Sequence, residues 1–160
     1  MHVLGVDPSL HVTGYGMIEA RADSLRLVEG GIIEPARSSH LSRRLAELWT
    51  GISDVIRALR PDVMIVEDVF SRTAYPKTAL LMAHARGTLV CAAAMANIPV
   101  HDYAATSVKL ALVGNGAATK AQVAAMVVHA LRLRRAPAPA DVTDALALAI
   151  AFCRRRKGSR

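Results

Sequence analysis

Apolar residues recur with two different periods along this 160-residue chain, and the change of period separates strands from helices. His2–Asp7 is a short apolar run closed by an acid and by Pro8-Ser9, which predicts a strand ending in a turn. Residues 12–20 and 25–34, joined by the polar connector 21–24, predict two further strands in an antiparallel meander. From 38 to 59 the period lengthens. Leu41, Leu45, Leu48, Ile52, Val55 and Leu59 recur three or four apart, predicting an amphipathic helix. Residues 63–66 (Val-Met-Ile-Val) are too few for a helix and have the pattern of a parallel strand covered on both faces. Segment 76–96 predicts a long helix, apolar nearly all round and so buried on more than one side. A brief strand is expected at 98–100, then helices at 104–113 and 120–133, separated by Gly114-Asn115-Gly116. A stiff Ala-Pro connector at 136–140 leads into a last helix from 141 to about 153.

This order predicts an α/β domain: an antiparallel meander followed by crossover units gives a mixed sheet flanked by helices. Such a sheet is open at the carboxyl ends of its parallel strands, where sites form. The length suits one domain, taken as residues 1–153, with 154–160 as a basic tail. At 52% hydrophobic and 21% charged the chain can build a core, although only 4% is aromatic. Cys91 and Cys153 lie in separate apolar helical stretches, which suits a reducing cytoplasm better than a disulfide scaffold. No leader pattern opens the chain. The longest apolar stretch, 78–100, is interrupted by His84, Arg86 and Asn97, so no membrane span is expected.

Charge is unevenly distributed. Residues 1–100 carry ten basic and ten acidic side chains, so the whole net charge of +7 falls on the last sixty residues. A one-sided basic excess is what a phosphate-rich partner requires, although a solubilising tail would give the same count.

The acids suggest chemistry. Asp7 ends the first strand and Glu67 follows the fourth, so parallel neighbours would bring both carboxylates to one sheet end. Asp141 and Asp144, three apart at the start of the last helix, share a face and flank its apolar stripe. Singly, Asp7 could be a turn former and Asp141 and Asp144 a helix cap and a dipole acid. Three separate elements delivering acids to common ground are harder to explain that way. Asp68 points to the opposite face and stays outside the site. Four crowded carboxylates repel unless cations neutralise them, and oxygen ligands favour magnesium or manganese. Two such ions about 3.5–4 Å apart are suited to in-line phosphodiester displacement.

The residues Leu-Gly-Val-Asp-Pro (4–8), Thr-Gly-Tyr-Gly (13–16), Val-Glu-Asp-Val-Phe (66–70), Ala-Arg-Gly (85–87), Pro-Val (99–100), Tyr103, Val-Lys (108–109), Gly-Asn-Gly (114–116), Lys120 with Gln122-Val123, and Asp-Val-Thr-Asp-Ala-Leu-Ala (141–147) occur in order. In these the chain resembles the RuvC family of bacterial Holliday-junction resolvases, nearly end to end. The resemblance implies a ribonuclease H-like fold with a five-stranded mixed sheet, and Asp7, Glu67, Asp141 and Asp144 as catalytic acids holding two Mg²⁺ ions. It implies that Lys109 and Lys120 meet DNA phosphates beside the cleft and that Phe70 contacts junction bases. It further implies paired symmetric nicks in four-way junctions by a homodimer, with the 76–96 helix a candidate interface, and work alongside the RuvA–RuvB branch-migration complex. Two departures stand out: Ser9 replaces the usual glycine after Asp-Pro, and residues 71–77 form a loop about one residue longer. There Arg72 and Lys77 could replace the usual phosphate contacts. Rival readings are a non-catalytic junction-binding module, an actin-like ATPase, for which the chain is too short, and a nuclease of the same fold with another nucleic-acid substrate.

Overall fold

The structure, a computed structural model, describes residues 1–22, 24–68 and 76–158. Five strands form one sheet in the order β3-β2-β1-β4-β5: β1 (His2–Asp7), β2 (Thr13–Ala20), β3 (Leu25–Ile33), β4 (Val63–Glu67) and β5 (Val100–Tyr103). β1 pairs antiparallel with β2, and β2 with β3, while β1–β4 and β4–β5 are parallel. The mixed sheet flanked by helices is therefore the one expected.

Alternation along the strands makes two cores. Val3, Ile65 and Ile18 face α3 (Ala105–Val113), α4 (Lys120–Leu131) and α5 (Ala140–Gly158). Leu4, Val6, Met64 and Val66 face α1 (Leu41–Leu59) and α2 (Pro76–Met95). α5 crosses the first face over a row of glycines, because Gly5 pairs with Gly16 and Gly16 with Gly30. A Cβ on Gly5 would stand 1.9 Å from the Ala145 carbonyl oxygen, and one on Gly14 would stand 2.1 Å from that of Asp141. Here glycine supplies absence of bulk, letting helix backbone rest on strand backbone.

Several boundaries differ from expectation. β5 lies at Val100–Tyr103, not 98–100, because the chain is still closing α2 there. Asn97 takes a left-handed φ of 57°, and the Ile98 amide donates to the Ala93 carbonyl. The strand then runs through His101 and Asp102, which an edge position tolerates. α2 is buried on one side, through Ala85, Leu89, Ala92 and Ala93; Leu80 and Met95 are 63% and 72% exposed. Contrary to the sequence reading, Lys77–Met95 is long and apolar enough to cross a membrane by length and composition. Its buried face nevertheless packs in the sheet core. α5 continues to Gly158, so the basic residues from Arg154 prolong the last helix where a separate tail was expected. Arg154 donates to the Ala111 and Leu112 carbonyls at the end of α3, at 3.2 and 2.8 Å, and the Arg155 guanidinium lies over the Tyr103 ring.

Gly5→Ala should lower stability by about 3 kcal/mol, the upper range for forcing atoms into a packed core. That is a fall of roughly 2–4 °C in Tm per kcal/mol. Gly116→Ala, whose new methyl would meet nothing closer than 3.7 Å, should melt with the parent protein. Equal melting of the two variants would show that α5 is not seated on the glycine row.

Candidate active site

Register brings the first two acids together. Val6 pairs with Val66 in parallel, so Asp7 and Glu67 follow side by side, both on the α5 face at the carboxyl end of the sheet. The turn after Asp7 is closed by Ser9 and Thr13. The Ser9 hydroxyl accepts from the His11 amide at 3.1 Å, and the fully buried Thr13 hydroxyl donates to the Ser9 carbonyl at 2.5 Å. Ser9 thus builds this turn with its own side chain.

The third acid comes down from α5. Asp7, Glu67 and Asp144 line one cleft of about 320 Å³ with Lys109 of α3 and Lys120 of α4. Asp141 does not line it, but lies close enough for its charge to act on Asp7. Sequence reasoning missed the apolar wall of the cleft, made by Ala105, Val108, Val123, Ala147 and Leu148. The signal was present, since Val108 adjoins Lys109 and Ala147 stands three residues after Asp144. Lys77 is exposed at the start of α2 and does not line the cleft. Phe70 and Arg72 lie outside the described residues.

Local structure fixes Lys120. Thr119 caps α4 by accepting from the Gln122 amide, and the Gln122 side chain returns the bond to the Thr119 amide, a complete capping box. Lys120 is therefore the first helical residue, where the helix dipole is unfavourable for a cation. Its Nζ sits 2.8 Å from Oδ2 of Asp144. That bond and the surrounding carboxylates hold the ammonium pKa above its usual value, against partial burial.

Electrostatics mark Asp7 as the stressed member. Burial first, then the charges of Glu67 and Asp144, its hydrogen bond with Glu67 and the charge of Asp141 push its pKa up to about 8. Burial also raises Glu67, while the bond from Asp7 and the two lysines pull it back. Asp7 thus keeps a proton at neutral pH and donates it toward Glu67. Among the described residues no three His, Cys, Asp or Glu side chains are gathered into a finished metal cage. The donor set nevertheless suits a hard divalent cation. It is all carboxylate, it is half-buried, and it has a lysine drawn against it where positive charge is wanted.

The model of the family described as crossover junction endodeoxyribonuclease RuvC matches residues 3–152. The enzyme of that name from Rhodopirellula baltica is 43% identical over 148 residues, covering 92% of this chain and 83% of its own. The one from Bordetella avium is 43% identical over 150 residues, covering 94% and 82%. Among solved structures, T. thermophilus RuvC in complex with a Holliday junction substrate superposes with a TM-score of 0.93 at 30% identity, covering 99% of this chain and 96% of that one. The yeast mitochondrial Holliday junction resolvase Ydc2, at TM-score 0.70 and 14% identity, shares the fold over 97% of this chain and 78% of its own.

The raised pKa makes a stability prediction. Unfolded Asp7 loses its proton near 3.8, whereas folded Asp7 holds it to about 8, so metal-free protein loses stability as pH rises between these values. Asp7→Asn has no such proton to lose. In chelator-treated protein its Tm should exceed that of the parent by a margin that opens from pH 4 to pH 8. A margin that is flat or closes with rising pH would contradict the crowded-carboxylate description.

Proposed function

The chain belongs to the RuvC family of crossover junction endodeoxyribonucleases, and from that premise we propose how its residues divide the work of resolving a Holliday junction. The family is metal-dependent. We assign Asp7, Glu67 and Asp144 as ligands to two Mg²⁺ ions, with Asp141 as the outer fourth. The observation that carries the assignment is the meeting of Asp7, Glu67 and Asp144 in one cleft, with the charge of Asp141 reaching Asp7. Bound divalent ions would supply Lewis-acid activation of water and of the scissile phosphate.

The chain's own groups do the rest. Bound divalent charge would favour Asp7 as the carboxylate, its proton passing to solvent, and Glu67 is held beside it by the parallel register. Lys120 releases Asp144 and becomes free to meet a phosphate at the mouth of α4. Lys109 adds a second cation to the cleft, and the apolar lining residues limit the water that reaches it. Phe70, Arg72 and Lys77 extend the DNA contact beyond Glu67, the aromatic against junction bases and the two cations against the backbone. This reading is favoured over a non-catalytic junction binder because binding by shape needs no buried carboxylate cluster.

Two symmetric nicks need two clefts, and α2 supports a homodimer. Leu80, His84, Gly87, Cys91 and Ala94 recur four and three apart, and all lie on its exposed side. That spacing is a helix-pairing seam, and its small residues permit close approach. The same family reading implies action with RuvA–RuvB at the nucleoid of the bacterial cytoplasm.

With Mg²⁺, the protein should cut a four-way junction in preference to flap or duplex DNA. Asp7→Asn, Glu67→Gln and Asp144→Asn should stop cleavage yet bind the junction, with Asp141→Asn the most tolerant. Cleavage by the first three would remove the metal assignment, and equal cutting of all three DNAs would favour a nuclease of another substrate. Phe70→Ala should slow junction cleavage roughly 10-fold, since a base stack is worth about 1–3 kcal/mol. Its Tm should hold; a large fall would make Phe70 a core residue.

A further inference from the structure

Ala85-Arg86-Gly87 takes no part in the cleft chemistry, yet Arg86 stands where α2 meets the catalytic edge of the sheet. Its Nη2 donates to Oδ1 of Asp102 on β5. The side chain is only 26% exposed, and its Nε is buried with no acceptor among the described residues. A buried donor left unmet is unfavourable, so stability alone does not explain an arginine here. α2 leans mainly on α1 and touches β4 and β5 lightly, which makes this ion pair its polar fastening to the edge strand.

β5 is also the strand that pairs with β4, the strand that ends in Glu67. Asp102 pairs across the sheet with Val66, and the next pair is Tyr103 with Glu67. The Asp68 amide donates to the Tyr103 carbonyl at 3.0 Å, so β5 fixes the backbone on both sides of the Glu67 carbonyl. Asp102 is thus one residue from the position that sets the entry of Glu67 into the cleft. β5 is an edge strand with a neighbour on one side only, so a contact on its outer flank such as Arg86 shifts it more readily than it would an interior strand.

We propose that Arg86 is a positioning residue: clasped to Asp102, it holds the end of β5 and thereby the angle at which Glu67 faces the metal ions. The inference rests on Glu67 being a metal-binding acid. A planar guanidinium suits the task because it can hold a carboxylate at a set angle, which a lysine ammonium cannot.

Arg86→Gln, Arg86→Lys, Asp102→Asn and the exchange Arg86→Asp with Asp102→Arg test it on a four-way junction across a Mg²⁺ titration. Arg86→Gln and Asp102→Asn should each lower kcat about tenfold and raise the Mg²⁺ needed for half-maximal cleavage, with KM for the junction within about twofold. Arg86→Lys should recover only part of the loss, and the exchange more of it. Independently of cleavage, Mg²⁺ should raise the Tm of Arg86→Gln less than that of the parent. Parental kcat and Mg²⁺ requirement in both single variants would overturn the proposal. A rise in KM alone would do so too, since it would make Arg86 a DNA contact. If Arg86→Gln does not fold, Asp102→Asn and the exchange decide by the same criteria. Failure of the parent protein to cut the junction would defeat the functional reading instead; the Mg²⁺-dependent melting would then still decide for or against the clasp.

Discussion

The closeness of α5 to the sheet is the constraint on which the cleft depends. Of the three acids that line it, Asp7 and Glu67 belong to strands and Asp144 to this helix, and direct backbone contact brings them to one level. Gly5, Gly16 and Gly30 lie in register across three strands, and Gly14 lies under Asp141. Any side chain there would lift the helix and with it Asp144. Displacements of about 1 Å can change rates a hundredfold, so the glycine row acts on chemistry it never touches. The same seating buries Val142, Ala145, Leu146, Ala149 and Ile150, which makes the catalytic helix also the centre of one core.

Charge in the cleft is held in balance by elements that would each be unfavourable alone. Lys120 occupies a helix start, where the dipole disfavours it, and Asp7 carries a proton far above the usual range of a carboxyl group. Together they answer one another: the lysine neutralises Asp144, and the shared proton relieves Asp7 and Glu67. Entry of divalent charge would release both at once, leaving a lysine free at the cleft mouth.

Much of this could be read from residues alone, for definable reasons. Short unbroken apolar runs marked β1 and β4, and apolar recurrence three or four apart marked α1, because each element buries its apolar residues continuously. Strand-end acids were legible because a carboxylate closing an apolar run has few other uses. β5 was misplaced because its residues, His101 and Asp102, obey edge exposure more than hydrophobic alternation. The one-sided burial of α2 was hidden because its exposed seam is as apolar as its buried face. The glycine row was hidden too: these glycines fall inside the predicted strands 12–20 and 25–34, and only strand register shows that they form a floor. Pairings such as Lys120 with Asp144 and Arg86 with Asp102 span 24 and 16 positions, and no local pattern announces them.

The energetic cost of the carboxylate cluster separates catalysis from recognition. Two unit charges 4 Å apart at an effective dielectric of 20 repel by about 4 kcal/mol. Whole domains are stable by only about 5–15 kcal/mol. A protein that read junctions by shape would meet phosphates with lysine and arginine, and burying acids beside them would weaken both its fold and its grip. Here the acids sit where two parallel strand ends meet a helix laid directly on the sheet. Lys109 and Lys120 line the same cleft from α3 and α4. With the acids on strand ends and α5 and the lysines on α3 and α4, the proposed metal binding and phosphate capture fall to different elements. That is the division of labour a phosphodiester hydrolase requires and a passive binder does not.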